Sequence, residues 1–141
     1  MILIDTNVIL ASIRQPVTDA DIQHHERATS LLRDVSLGTV SALIGEIVLH
    51  ECYYVLVMRD KEIGPEAFCS LFNRMLDWPG WAHSDAEMTI FKSALDFLSD
   101  HPKLEFSDAV IAARAEYHDA ELATFDRRLA EAYGGQIWAE G

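Results

Sequence analysis

The chain opens on Met1, Ile2, Leu3 and Ile4 and then meets a carboxylate, Asp5. A short run of this kind, apolar at every position and containing β-branched residues, fits a strand buried on both faces, as in a parallel sheet. Asp5, Thr6 and Asn7 place a carboxylate, a hydroxyl and an amide together at the carboxyl end of that strand. The apolar segment after them opens a helix with Thr6 or Asn7 as its N-cap. Open parallel sheets bind ligands in the crevice outside their strand ends. Other acids able to reach Asp5 are therefore the residues to seek.

Downstream, helical patterns alternate with short strand-like runs, which is the punctuation of an α/β fold. Thr18 caps a helix that begins at Asp19, carries Ala28, Leu31, Leu32 and Val35, and ends at Gly38. A second strand is expected over 39–43, followed by a helix over 44–58. Pro65 suits the first turn of the next helix, whose apolar face is Phe68, Leu71, Phe72, Met75 and Leu76. Trp78-Pro79-Gly80 breaks it. A weak third strand over 81–83 precedes a helix opened by a capping box of Ser84 and Glu87. His101-Pro102 closes that helix, and Ser107 caps another over 108–117. A fourth strand over 121–124, a helix over 127–133, the turn at Gly134-Gly135 and an edge strand over 136–139 complete the pattern.

A length of 141 residues suits one domain, and we expect a single domain over 1–141. No long apolar run and no charged-then-apolar leader is visible, so no membrane span is expected and the cytoplasm is the expected location. Cys52 and Cys69 match no metal-ligand spacing and are expected to pack as small apolar residues. The net charge of −12 argues against a protein that holds nucleic acid through phosphate neutralisation alone. Most of the 23 carboxylates suit a solvated surface. A few, gathered around a divalent cation, would invert the local charge and attract phosphate.

Three acids fall where such a gathering is expected: Asp5 ends strand one, Asp126 follows strand four, and Asp108 opens the helix leading into strand four. Strand ends and helix starts share one edge of a parallel sheet, so distant residues can meet there. Glu51 is a fourth candidate because it shares a helical stripe with Ile44, Val48 and Val55, and a carboxylate buried there needs a partner. Glu46 lies on the same helix but points about 140° away, so it stands as a substitute for Glu51 rather than a companion.

The chain resembles the PIN domain family, and more closely the VapC-like toxin ribonucleases of prokaryotic toxin–antitoxin systems. The resemblance is carried by Ile-Asp-Thr-Asn-Val-Ile-Leu at 4–10, Val-Leu-His-Glu-Cys-Tyr-Tyr-Val-Leu at 48–56, Phe-Ser-Asp-Ala-Val-Ile-Ala-Ala at 106–113 and Ala-Thr-Phe-Asp-Arg-Arg-Leu at 123–129. It implies a three-layer α/β/α sandwich around a parallel sheet of four to five strands, and a metal-dependent endoribonuclease. The implied catalytic and metal-binding quartet is Asp5, Glu51, Asp108 and Asp126, holding Mg²⁺ or Mn²⁺, with Thr6, Asn7 and Thr124 in support. It further implies an RNA substrate, a homodimer and a small antitoxin laid over the acidic site. An acidic chain suits a basic partner.

Other readings stay open at this level. A PIN-like scaffold that binds RNA or protein without cutting is one. An aspartyl-phosphate phosphatase also starts from a strand-end Asp but typically needs a second acid two residues on, where Asn7 stands. A receiver-like domain wants an early acidic pair and a late lysine. His24, His25 and His50 beside acids suggest metal ligands, yet sequence neighbours diverge by about 100° on a helix. Tyr53, Tyr54, Trp78 and Trp81 are candidates for base stacking or for core. Arg14, Arg127 and Arg128 are the cations nearest the acids.

Overall fold

The computed structural model describes residues 1–139. Strand β1 (Ile2–Leu3) leads into helix α1 (Thr6–Ile13) and the long α2 (Asp19–Leu37); strand β2 (Ala42–Leu43) then leads into α3 (Glu46–Tyr53). A π-helical segment, Tyr54–Arg59, extends α3, and four helices follow: α4 (Pro65–Leu76), α5 (Asp85–Asp100), α6 (Phe106–Tyr117) and α7 (Arg127–Ala132).

The sheet is parallel, with Ile2 paired to Ala42 and Leu3 to Leu43. Two strands are present among the described residues. The third strand expected over 81–83 is a single parallel bridge from Trp81 to Ala42, and the fourth and fifth meet in one bridge between Leu122 and Ile137. The fold is thus a mostly helical α/β arrangement around a small parallel sheet.

Strand β1 departs from expectation. Ile4 is buried at 2% exposure, but Leu3 is 75% exposed and Ile2 40%. The cause is topological. Among the described residues β1 pairs with β2 alone, and no ladder joins it to the Leu122–Ile137 bridge.

Helix boundaries follow local chemistry more faithfully. Thr18 and Asp21 form a reciprocal capping box at the start of α2, and Gly38 ends it in the left-handed region at φ 77°. Pro65 occupies the first turn of α4. Three caps differ from expectation. Asp5, rather than Thr6 or Asn7, caps α1. Glu105, rather than Ser107, caps α6. At α5 the Ser84 hydroxyl accepts the Glu87 N–H, but the Glu87 carboxylate does not accept the Ser84 N–H in return.

The core is built between α3, α4, α5 and α6. Phe68 and Phe72 stack at 4.1 Å, Tyr53 meets Phe68 edge-on at 5.0 Å, and Phe91 and Phe106 are fully buried. Each such side chain contributes about 1.5–3 kcal/mol by leaving water. Tyr53 is thus core, while Trp78 and Trp81 stack on each other and Tyr54 stays exposed. Cys52 and Cys69 are buried free thiols, as expected. No helix among the described residues is long and apolar enough to cross a membrane.

Gly80 lies where the 78–81 turn passes under α2. A Cβ there would stand 2.4 Å from the Val35 carbonyl oxygen and 2.5 Å from that of Val40, both backbone atoms. Gly80→Ala is therefore expected to cost about 2–3 kcal/mol in urea denaturation, whereas Gly64→Ala, with nothing within 4 Å, should leave the midpoint within about 0.5 kcal/mol. Burial pushes the Cys52 thiol from 9.0 up to about 12 and the Cys69 thiol up to about 11. The stability gained by keeping these thiols neutral is complete below pH 9 and is lost as pH rises from about 9 toward 12. Thiol labelling at pH 9 should modify neither cysteine in the folded chain and both after unfolding.

Candidate active site

Asp5 follows β1 and begins α1. Its Oδ1 accepts the Thr6 N–H at 2.8 Å, and its carboxylate is exposed. The next residue is unusual: Thr6 is the one buried polar residue among those described, and its hydroxyl has no hydrogen-bond partner. A buried hydroxyl left unpaired costs about 1–3 kcal/mol, so Thr6 lowers stability at the position beside Asp5.

The pairing of Leu3 with Leu43 brings the turn after β2 to the same sheet edge as Asp5. That turn leads into Glu46 in the first turn of α3. Arg114 of α6 donates to Glu46 Oε1 at 2.6 Å, an ion pair that ties α3 to α6. No local spacing announces this contact, since 68 residues separate its partners. Glu51 lies further along α3 and is exposed, contrary to the expectation of a buried carboxylate. The buried stripe of α3 is Val48, Leu49, Cys52 and Tyr53, and Glu51 lies off it. Among the described residues the Glu51 carboxylate makes no ion pair or hydrogen bond, whereas that of Glu46 pairs with Arg114.

Asp108 is half-buried in the first turn of α6, where its Oδ2 accepts the Glu105 N–H at 3.2 Å. Asp126 caps α7, its Oδ1 accepting from Arg128 N–H at 2.9 Å and Leu129 N–H at 3.2 Å. Thr124 supports it directly, its hydroxyl oxygen accepting the Asp126 N–H at 3.0 Å. Asp5, Asp108 and Asp126 therefore all stand at helix N-termini, where the helix dipole favours a negative charge.

A cleft of about 690 Å³ opens beside Asn7, lined also by Leu10, Arg14, His24, Asp60 and Glu62. Arg14 is already neutralised there, with Nη2 at 2.5 Å from Asp60 and 3.0 Å from Glu62. His25 is held by the Ala11 carbonyl at 2.8 Å. His50 lines a second cleft of about 390 Å³ between α3 and α6, with Glu46, Phe106, Ser107 and Arg114.

A model of the PIN domain family matches residues 2–135. The chain belongs to the PIN domain family. Comparison with curated proteins gives no significant match. The PIN fold is a nuclease-type fold whose members are generally metal-dependent ribonucleases, which agrees with carboxylates collected at strand ends and helix starts. Four carboxylates are also the hard oxygen donors that Mg²⁺ or Mn²⁺ takes. Their arrangement within this one chain is a different matter. Among the described residues no three His, Cys, Asp or Glu side chains gather in a group able to hold a metal ion.

The two duties of Asp126, capping a helix and belonging to an acidic set, can be separated. Asp126→Ala removes the cap of α7 and should lower stability by about 1 kcal/mol, while Asp126→Asn keeps an acceptor for Arg128 and Leu129 and should change stability by a few tenths. Thermal denaturation of both variants checks this.

Proposed function

We propose that this PIN domain is an endoribonuclease dependent on Mg²⁺ or Mn²⁺ and the toxin of a type II toxin–antitoxin pair, acting in the cytoplasm as a homodimer. Asp5, Glu51, Asp108 and Asp126 form its acidic set, with Thr6, Asn7 and Thr124 supporting. The observation that carries the reading is Asp5 with its neighbour Thr6: an exposed carboxylate at the end of a parallel strand, beside a buried hydroxyl without a partner. The choice of Glu51 over Glu46 rests on the Arg114 ion pair, which occupies Glu46 and leaves Glu51 free. A four-to-five-stranded sandwich belongs to the same proposal, with the bridges at Trp81, Leu122 and Ile137 as its incomplete strands.

Hydrolysis of a phosphodiester needs a water stripped of a proton and charge stabilisation on the phosphate oxygens. A bound divalent ion supplies both. The carboxylates of this chain supply hard donors and an acceptor for the water's proton. Arg127 and Arg128, exposed beside Asp126, are placed to meet phosphate. A small antitoxin with a basic segment is the proposed inhibitor, suited to the net charge of −12.

One observation favours a second reading, a PIN scaffold that binds without cutting: three of the four acids serve as helix caps or in a capping box, and no three gather. Cleavage of a labelled RNA pool separates the two. The nuclease reading expects discrete products with Mg²⁺ or Mn²⁺, none with EDTA, and a loss of roughly a hundredfold or more in Asp5→Ala. Binding of RNA that ignores metal, with no products from wild type, would leave the scaffold.

A further inference from the structure

Phe125 is wholly exposed, whereas Tyr54, Tyr117 and Trp138 are each a little under half exposed. Single apolar residues on a surface are ordinary, but Phe is among the residue types most often buried, and a ring left entirely in water is not. The ring is also held in place. The Thr124 hydroxyl reaches past it to accept the Asp126 N–H at 3.0 Å, and the Asp126 carboxylate accepts the Arg128 and Leu129 N–H groups at 2.9 and 3.2 Å. These bonds restrain the backbone on either side of Phe125, so its segment loses little freedom when something covers the ring.

The cations next to the ring are unengaged as well. Arg14, Arg59, Lys92 and Arg114 are held by acids, whereas among the described residues no ion pair engages Lys103, Arg127 or Arg128. Lys103 and Arg128 line one cleft of about 480 Å³ between the α5–α6 turn and α7. Asp100 and Glu131 share its walls without pairing to either cation. An aromatic face beside free positive charge suits a ligand that offers flat rings and negative charge by turns along one chain, which is single-stranded nucleic acid. A duplex keeps its base faces inside the stack and has none to give Phe125. A basic protein segment would meet repulsion from Lys103, Arg127 and Arg128.

We propose that Phe125, Arg128 and Lys103 form a nucleotide subsite beside Asp126, in which an unpaired RNA base next to the scissile phosphate stacks on Phe125 and a phosphate further along the strand enters the cleft between Arg128 and Lys103. Phe125 then selects unpaired over paired RNA, because only an unstacked base can reach it. Arg128 joins the two parts, since it follows the ring in the chain and lines the cleft. The inference rests on the nuclease reading for the scissile phosphate at Asp126, and on the exposed ring and the cleft for the subsite itself.

Binding of a fluorescein-labelled single-stranded RNA, followed by anisotropy at low salt in EDTA so that no cleavage intervenes, tests it. Phe125→Ala should weaken binding about tenfold, Phe125→Leu nearly as much because it keeps apolar bulk without an aromatic face, and Phe125→Trp should hold or tighten it. All three should keep the wild-type thermal midpoint, since the ring is exposed. An abasic nucleotide moved along the strand locates the stacked base: at one position it should cost wild type the same factor and cost Phe125→Ala nothing further. Lys103→Gln and Arg128→Gln should each reduce the slope of log affinity against log salt by about 0.7, while Phe125→Ala leaves the slope unchanged. In Mg²⁺ the bond cut should adjoin the base so located. Equal binding by wild type, Phe125→Ala and Phe125→Leu, or a wild type that binds no single strand, overturns the subsite, and metal-dependent cleavage by wild type then leaves the nuclease reading standing. Binding that depends on Phe125, with no products in Mg²⁺ or Mn²⁺, overturns the nuclease reading and leaves the stacking subsite.

Discussion

The parallel pairing of β1 with β2 is the contact on which the arrangement depends. Two residues on each side suffice to fix which way the chain leaves the sheet, because strands that run the same way must release their following helices from the same edge. Asp5 and Glu46 are neighbours of that edge for no other reason. A parallel sheet also tolerates little exposure, since its strands lie between helical layers. Leu3, 75% exposed, breaks this rule.

Carboxylates at helix starts serve local structure and chemistry in the same position. Asp126 satisfies two otherwise unpaired amides of α7, and Asp5 satisfies one of α1. Capping also fixes where each carboxylate sits relative to its backbone, which removes part of the entropy that four flexible acids would lose on converging. Glu51 has no such restraint. It projects from the middle of α3 just before the helix widens into a π segment, and only the packing of α3 against the core holds its direction. Thr6 is the counter-example within the site: buried, polar and unpaired, it costs stability where the caps supply it.

Most of the helices were legible in the sequence because their boundaries are local. Thr18 with Asp21, Gly38 and Pro65 act through neighbours a few residues away, so spacing alone places them. The cap of α6 falls at Glu105, two residues before Ser107, because the helix already starts at Phe106 and the Asp108 carboxylate accepts the Glu105 N–H. Strand pairing is not local. Ile2-Leu3-Ile4 announces a strand, but nothing within it states how many partners it finds, and residues 121–124 read as a strand whether they pair with β1 or with Ile137. The four acids were likewise legible as positions. Which acid of α3 is ion-paired was not, because the Arg114 pair that distinguishes Glu46 from Glu51 links distant elements.

The cations around the site bear on how an acidic chain would meet the RNA of the proposed reaction. Arg14, although near Asn7, is spent on Asp60 and Glu62 and brings no free charge to a phosphate. Arg127 and Arg128 occupy the first two positions of α7, where the helix dipole disfavours a cation. Helix stability therefore does not explain them. They stand exposed directly after Asp126, so on the proposed reading a phosphate at that carboxylate's site would meet positive charge within one helical turn, while the net charge of −12 would repel nucleic acid elsewhere. On the proposed nuclease reading, attraction confined to the site would favour contacts made at the scissile region over sliding along the backbone, and selectivity would come from the shape of the clefts around Asn7 and His50.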